Sequence, residues 1–148
     1  ELINLSQLKT LYLFGNHLSD TLPSFNDGLA LEEIKLYQNN LSGVIPESIK
    51  NLLQLRNLQL NYNNLSGEIP IDLLRLPNMN TLKLSHNQLT GLIPIEICNI
   101  ERVYLEDNIL TGPVPDCVCN MVYISLSNNK LCEDPPNCID IGPQSCSP

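Results

Sequence analysis

One pattern, written six times, constrains this chain more than any other feature. An asparagine follows a pair of apolar residues that alternate with outward-facing ones, and it recurs at Asn16, Asn39, Asn63, Asn87, Asn108 and Asn129. The intervals between consecutive asparagines are 23, 24, 24, 21 and 21 residues. Self-similarity at this period over most of 148 residues indicates stacked units of one supersecondary structure.

The residues before each asparagine predict a short strand with one buried face. In the second copy, Ile34 and Leu36 alternate with Lys35 and Tyr37, which is the two-residue period of a strand. One copy cannot bury its own apolar pair, but neighbours stacked in parallel can. The inward pairs are Leu11 and Leu13, Ile34 and Leu36, Leu58 and Leu60, Leu82 and Leu84, Val103 and Leu105, and Ile124 and Leu126.

The recurrent asparagine predicts a hydrogen-bonded ladder at the strand ends. A buried carboxamide carries two donors and an acceptor, so stacked copies can satisfy the backbone groups of successive turns. The full pattern, LxxLxLxxNxL, resembles the leucine-rich repeat. This resemblance implies a right-handed β/3₁₀ superhelix of about six repeats with a parallel concave sheet. The predicted division is leucine-rich repeats over residues 1–131 and a cysteine-rich C-terminal cap over 132–148.

Four copies continue as LxGxIP, in which Gly and Pro favour a turn followed by a stretch that cannot form an ordinary helix. This extension resembles the plant-specific class of leucine-rich repeats. The class implies a second small sheet, 3₁₀ turns on the convex side, and extracellular recognition, as in receptor-like ectodomains and polygalacturonase-inhibiting proteins. The first copy departs from it, with Asp20 in place of Gly. The residues that carry the resemblance are Leu41, Gly43, Ile45, Pro46, Leu65, Gly67, Ile69, Pro70, Leu89, Gly91, Ile93, Pro94, Leu110, Gly112, Val114 and Pro115.

Six cysteines in the last third of the chain predict a disulfide-braced end: Cys98, Cys117, Cys119, Cys132, Cys138 and Cys146. Equivalent positions in stacked repeats lie within disulfide range, which favours Cys98 with Cys119 and Cys117 with Cys138. That choice leaves Cys132 for Cys146. The segment LCEDPPNC instead resembles the family's LCGxPLxxC cap, which implies Cys132 with Cys138. A zinc site is disfavoured because the spacing is CxC and no histidine is near.

Three N-glycosylation sequons begin at Asn4, Asn40 and Asn64. The motif NNLSG is also the repeat consensus, so two of these sequons arise from the repeat itself. Together with the clustered cysteines, they predict a protein that is secreted or faces the outside of the cell.

Aromatic residues mark the outward positions of the predicted concave sheet. All five tyrosines and one of the two phenylalanines fall there. Tyr12, Phe14, Tyr37 and Tyr62 form one predicted group, and Arg102, Tyr104 and Tyr123 form another. Strand propensity accounts for one or two of them. Because exposed aromatics and arginine are enriched at binding hot spots, we expect this face to bind a protein, peptide or cell-wall glycan.

Composition and motifs exclude other classes of function. A net charge of −8 disfavours nucleic-acid binding, and no apolar run is long enough to span a membrane. There is no GxSxG, HExxH or phosphate-binding loop, and the adjacent Glu106 and Asp107 face opposite ways on a strand. We therefore expect neither an enzyme nor a cofactor.

Two alternatives remain at the level of sequence. The family's N-terminal cysteine cap is absent, so the first repeat either continues a longer chain or is covered by a neighbouring domain or chain. The protein is then a structural segment of an extracellular assembly, packed through this uncapped edge. Ice binding is a more remote alternative, because the concave rows of side chains are irregular.

Overall fold

Nine short strands and four short helical turns wind into a solenoid in the computed structural model, which describes residues 5–146. A six-stranded parallel sheet contains one strand from each repeat, in chain order. Its strands are β1 (Thr10–Tyr12), β2 (Glu33–Lys35), β4 (Asn57–Gln59), β6 (Thr81–Lys83), β8 (Arg102–Tyr104) and β9 (Tyr123–Ser125).

A second, smaller parallel sheet runs along one flank. It contains β3 (Ser42–Gly43), β5 (Asn64–Gly67) and β7 (Gln88–Leu89). The opposite, convex side carries 3₁₀ helices η1 (Glu47–Asn51), η2 (Ile95–Asn99) and η3 (Asp116–Asn120), with one α-helical turn, α1 (Ile71–Leu74). The predicted solenoid with a parallel sheet and 3₁₀ turns is confirmed.

The strands pair in register, so equivalent apolar residues stack into one continuous core. Ile34 lies between Leu11 and Leu58 in the sheet, and Leu82 lies between Leu58 and Val103. In the interior repeats these side chains are fully buried. The first repeat differs, because no repeat of the described chain packs before β1. Leu13 was predicted to point inward and is 42% exposed, and Leu18 is 37% exposed.

The asparagine ladder forms as predicted. Asn63 is representative: its Oδ1 accepts a hydrogen bond from the backbone N–H of Leu41 at 3.0 Å. Its Nδ2 donates to the carbonyls of Leu36 and Leu60, both at 3.0 Å. Each interior asparagine thus joins its own repeat to the preceding one. Asn16, in the first repeat, donates only to carbonyls of its own turn.

The glycine of LxGxIP occupies a left-handed backbone conformation. At Gly67 φ is 76°, and a Cβ there would lie 2.8 Å from Cγ1 of Val44 in the preceding repeat. Both the backbone angle and the close approach favour glycine. Asp20 adopts the same conformation in the first repeat, with φ of 70°, which an aspartate tolerates better than most residues.

The disulfides join Cys98 to Cys117, Cys119 to Cys138, and Cys132 to Cys146. The predicted bridged cap is therefore confirmed, and so is Cys132 with Cys146. The predictions of Cys98 with Cys119, Cys117 with Cys138, and Cys132 with Cys138 are wrong.

The geometry of a 3₁₀ turn explains the error. Ile97 in η2 and Val118 in η3 point into the core. With three residues per turn, the residues before and after each inward side chain face opposite neighbouring repeats. Cys98 follows its inward residue and Cys117 precedes its own, so these two face each other across the repeat boundary. Equivalent cysteines such as Cys98 and Cys119 point in the same direction and do not meet.

The C-terminal end is sealed by a residue that repeats the ladder chemistry. Gln144 Oε1 accepts hydrogen bonds from the backbone N–H groups of Asn129 and Leu131, at 3.1 and 3.2 Å. Its Nε2 donates to the carbonyls of Leu126 and Ile141, at 3.0 and 2.8 Å. The contacts with Leu131, Leu126 and Ile141 are those that an asparagine of a further repeat makes. The segment IDIGPQ, residues 139–144, matches LxLxxN with glutamine for asparagine.

Candidate ligand-binding face

The concave face consists of the outward side chains of the six-stranded sheet and of the residues that follow each strand. It carries all seven residues that the sequence nominated for ligand contact. Four of their rings are close to half exposed: Tyr12 at 46%, Phe14 at 44%, Tyr62 at 48% and Tyr123 at 45%. Tyr37 and Tyr104 are partly buried between neighbours, and Arg102 is exposed.

The N-terminal aromatic cluster comprises Tyr12, Phe14 and Tyr37. The rings of Phe14 and Tyr37 stack at a centroid distance of 4.7 Å and an angle of 5°. Lys35 places its ammonium 4.2 Å from the ring centre of Tyr12, a cation–π contact. The Tyr12 hydroxyl donates to Glu33 at 2.5 Å, so the ring is held at both its face and its edge. The cluster is therefore pre-organised before any ligand arrives.

Electrostatics also stabilise this cluster. Glu33 and Lys35 form an ion pair at 2.8 Å. The hydrogen bond from Lys35, followed by the one from Tyr12, lowers the pKa of the Glu33 carboxyl. The hydrogen bond with Glu33, followed by the one with Tyr12, raises the pKa of the Lys35 ammonium. Both groups are therefore charged across the neutral pH range, and they fix the orientation of Tyr12.

Tyr62 does not join this cluster, although the sequence grouped them. Its ring stacks on the imidazole of His86 at 4.0 Å and 13°. His86 Nε2 lies 3.4 Å from Asp107 Oδ2, and Asn128 donates to Asp107 Oδ1 at 2.8 Å. These four residues form a continuous ridge along one edge of the concave face. Sequence reasoning missed His86, although its position directly before a ladder asparagine matches that of Tyr62.

The ridge residues share an unusual backbone conformation. Tyr62, His86, Asp107 and Asn128 have φ between 53° and 57°, because the chain turns sharply from the strand into the ladder. Asp and Asn adopt this left-handed conformation readily, but Tyr and His do so at a cost of roughly 1–2 kcal/mol each. Gly15 meets the same need in the first repeat without strain. Gln38 adopts the same conformation at the equivalent position, with φ of 55°, so the turn belongs to every repeat and the ridge is distinguished by its stacked rings.

The C-terminal aromatic cluster comprises Tyr104 and Tyr123, whose rings lie 4.7 Å apart at an angle of 34°. The Lys83 ammonium sits 4.9 Å from the Tyr104 ring centre. Arg102, which the sequence grouped with these rings, has polar partners: its guanidinium donates to Asn80 and to Glu101, both at 3.2 Å. The concave face thus has an aromatic cluster near each end.

Polar residues occupy the floor between the clusters. Ser85 is buried between Asn61 and Glu106 of the adjoining repeats. Asn61 Oδ1 and Glu106 Oε2 are both buried without a hydrogen-bond partner. The carboxylate of the adjacent Asp107 lies on the ridge, where it contacts His86 and Asn128.

The sequon residues Asn40 and Asn64 are exposed on the flank that carries the small sheet, away from the concave face. Asn4 lies outside the described residues. Within residues 5–146, no set of three or more His, Cys, Asp or Glu side chains is placed to hold a metal ion. No helix in the same range is long and apolar enough to cross a membrane.

Comparison with known families and structures agrees with this geometry. The Leucine Rich Repeat family model matches residues 7–29, 30–52, 54–76 and 78–100. The sequence has no significant match among curated proteins.

Solved structures with the same fold include plant ectodomains. One is the ectodomain of the Arabidopsis thaliana receptor kinase GASSHO1/SCHENGEN3, in complex with CASPARIAN STRIP INTEGRITY FACTOR 2. Its sequence is 34% identical to this chain and its TM-score is 0.77, and the match covers 86% of this chain and 16% of the ectodomain chain. The plant peptide hormone receptor RGFR1, in complex with RGF2, is 31% identical with a TM-score of 0.86 over 95% and 25%. A plant ice-binding protein is 34% identical with a TM-score of 0.79 over 86% and 43%. This chain therefore spans less than half the length of each.

Proposed function

The chain belongs to the leucine-rich-repeat family, and we propose that it binds an extracellular peptide or protein segment across its concave face. The observation that carries the proposal is the pair of exposed aromatic clusters, held in place by stacking, cation–π contacts and ion pairs. Rigid aromatic rings lose little conformational entropy on binding and supply large contact areas. A parallel sheet in which every strand contributes one row provides the stiff surface beneath them.

Two further observations support a peptide ligand outside the cell. Disulfides form and persist in oxidising compartments, and all six cysteines of this chain are bridged. RGFR1, which shares this fold, is a peptide hormone receptor solved with its ligand. Two strands of the sheet, β4 and β6, separate the two aromatic clusters, and this span suits an extended segment that lies across the repeats.

The test is capture from a native extracellular extract with the purified chain as bait. The triple variant Tyr12→Ala, Phe14→Ala, Tyr37→Ala removes the N-terminal aromatic cluster without touching the buried core. We expect the wild type to retain a peptide or protein that this variant loses, while both melt at nearly the same temperature. A synthetic copy of the captured ligand then gives the change in Kd by calorimetry.

A matched control replaces three exposed apolar residues outside the concave face: Leu53→Ala, Leu92→Ala and Ile95→Ala. This variant should retain the ligand. If it loses the ligand while the concave variant keeps it, binding occurs elsewhere and the proposal is wrong. Recovery only of further copies of the chain would instead favour an assembly packed through the exposed Leu13 and Leu18 of the first repeat.

Ice binding is the second candidate, and a regular row on the flank favours it. Short hydroxyl side chains recur once per repeat beside the small sheet, at Ser19, Ser42, Ser66, Thr90 and Thr111. Neighbouring strands of the small sheet lie about 4.8 Å apart, so residues that recur once per repeat form a periodic row, with a shift along the strands because Ser42 pairs with Asn64 and Ser66 with Gln88. The fold is also that of a plant ice-binding protein. Asn40 and Asn64 lie on the same flank, so glycans on them would cover part of this row.

Thermal hysteresis of the unglycosylated chain separates the two candidates. If the row binds ice, Ser66→Tyr with Thr90→Tyr should abolish the hysteresis, because two bulky rings interrupt the array. The concave triple variant should then behave like the wild type. Absence of hysteresis in the wild-type chain would exclude this second candidate and leave the peptide proposal unaffected.

A further inference from the structure

A cavity at the edge of the six-stranded sheet lies apart from both aromatic clusters. It has a volume of about 450 Å³ and is lined by Arg56, Asn57, Asn78, Asn80 and Thr81, from the third and fourth repeats. Every lining residue is polar, and none carries a carboxylate. The cavity is thus unlike the aromatic surface described above.

Internal hydrogen bonds leave the lining of this cavity with unused hydrogen-bond donors. Arg102 and Thr81 both donate to Asn80 Oδ1, at 3.2 and 2.9 Å. A guanidinium can only donate, so the amide oxygen of Asn80 must face it and the NH₂ group is left free. Gln59 engages Asn57 Oδ1 in the same way, at 3.1 Å. The acceptors of both amides are therefore occupied within the protein, while their donors remain unused.

Local charge reinforces this polarity. The two carboxylates on the same edge are both neutralised by other cations: Glu32 by Lys9 at 3.0 Å and Glu101 by Arg102 at 3.2 Å. Among residues 5–146, Arg56 has no ion-pair partner, although the chain carries a net charge of −8. Its exposed guanidinium offers five N–H donors in a planar fork that matches an oxyanion.

From these contacts we infer that the cavity between the third and fourth repeats is an oxyanion-binding site, in which Arg56 and the amides of Asn57 and Asn80 hold a carboxylate or a sulfate group. The cavity has room for more than a single ion, so the anion can be a substituent of a larger ligand. The site does not depend on the aromatic clusters, and this inference stands or falls separately from the proposed peptide function.

Titration with sodium sulfate and with sodium acetate tests the site, and sodium chloride at matched ionic strength serves as the reference. The side-chain NH₂ signals of Asn57 and Asn80 are followed by nitrogen-15 NMR. We expect saturable shifts with sulfate or acetate and none with chloride. Tighter binding of sulfate identifies a sulfate ester as the natural group, and tighter binding of acetate identifies a carboxylate.

Arg56→Gln should raise the midpoint of that titration roughly tenfold or more, because a charge-assisted hydrogen-bonding group is lost. Lys50→Gln makes the same charge change on the convex side and should leave the midpoint unchanged. The concave triple variant should also leave it unchanged. The inference is overturned if neither anion gives a saturable shift, or if Arg56→Gln and Lys50→Gln give equal midpoints.

Discussion

The two halves of the convex side use the same positions with different chemistry. Each convex turn follows a proline. A side chain four or five residues after that proline contacts a side chain of the next repeat, two residues after the equivalent proline there. In the N-terminal half these are ion pairs, Lys50 with Asp72 at 3.9 Å and Arg75 with Glu96 at 2.7 Å. In the C-terminal half they become disulfides, Cys98 to Cys117 and Cys119 to Cys138.

The difference in chemistry implies a gradient of stability along one fold. Exposed ion pairs contribute about 0–1 kcal/mol, whereas a disulfide contributes about 2–4 kcal/mol. The last repeat is further stabilised by the hydrogen bonds of Gln144. The N-terminal aromatic cluster therefore lies on the less braced half, where whole repeats open at lower free energy although the rings themselves are held in place.

Removing one convex disulfide should have the largest effect. We expect Cys98→Ser with Cys117→Ser to lower the free energy of unfolding by about 3 kcal/mol, because the bridge closes a loop of 19 residues. Chemical denaturation measures the loss, and hydrogen exchange should show the fourth and fifth repeats losing protection. If the N-terminal repeats of the wild type exchange as slowly as the disulfide-bridged repeats, the proposed gradient is wrong.

Sequence predicted the repeat and its ladder well because both depend on local spacing. The LxL alternation and the recurrent asparagine placed the sheet, the amide ladder and the inward pairs directly, except Leu13, which is 42% exposed. Sequence failed where the outcome depended on how neighbouring repeats are rotated. Cys98 and Cys119 are equivalent in sequence, but the 3₁₀ turn directs Cys98 toward Cys117. Likewise, the stacking of Tyr62 on His86 depends on a left-handed turn conformation, and neither tyrosine nor histidine predicts that conformation from sequence.

The ladder-like role of Gln144 was not predicted from the sequence, for a different reason. It lies only 15 residues after Asn129, well short of the repeat period, and it is a glutamine in a position where the pattern requires asparagine. Its longer side chain reaches the same backbone groups from a shortened segment.

Breaking this seal should have the next largest effect. Gln144→Ala leaves the backbone N–H groups of Asn129 and Leu131 without their acceptor, which should lower the free energy of unfolding by about 2 kcal/mol. Amide exchange at Asn129 and Leu131 should accelerate more than at Leu41. Gln88→Ala, at an exposed position on the flank, is the control and should change neither measurement.

Installing a bridge in the weaker half should reduce the gradient. Lys50 and Asp72 occupy the positions that correspond to Cys98 and Cys117, so Lys50→Cys with Asp72→Cys should oxidise to a disulfide. We expect a gain of about 1–2 kcal/mol, less than a native bridge contributes. The gain should disappear with reductant. A ligand that needs movement of the N-terminal repeats should then bind more slowly, and unchanged association would show that this half is already rigid.

The smallest effect concerns the ion pair of Arg75 and Glu96. A hydrogen bond from its own backbone N–H, followed by the one from Arg75, lowers the pKa of Glu96 from its ordinary value of 4.5. A carboxyl with a lowered folded-state pKa stabilises the fold above its unfolded pKa, and this contribution is lost as the pH falls through the folded value. Glu96→Gln should therefore remove a small stability increment that appears between acidic and neutral pH.

Arg75→Gln should remove only part of that increment, because the backbone hydrogen bond is the larger cause and remains in place. Urea midpoints measured from about pH 3 to pH 7 for both variants, at low and high salt, resolve the two contributions. The share of the stability increment that Arg75→Gln removes should equal the share that high salt removes in the wild type. If Arg75→Gln and Glu96→Gln give identical pH profiles, the ion pair supplies the whole effect, and the N-terminal half is braced more strongly than the exposure of Arg75 suggests.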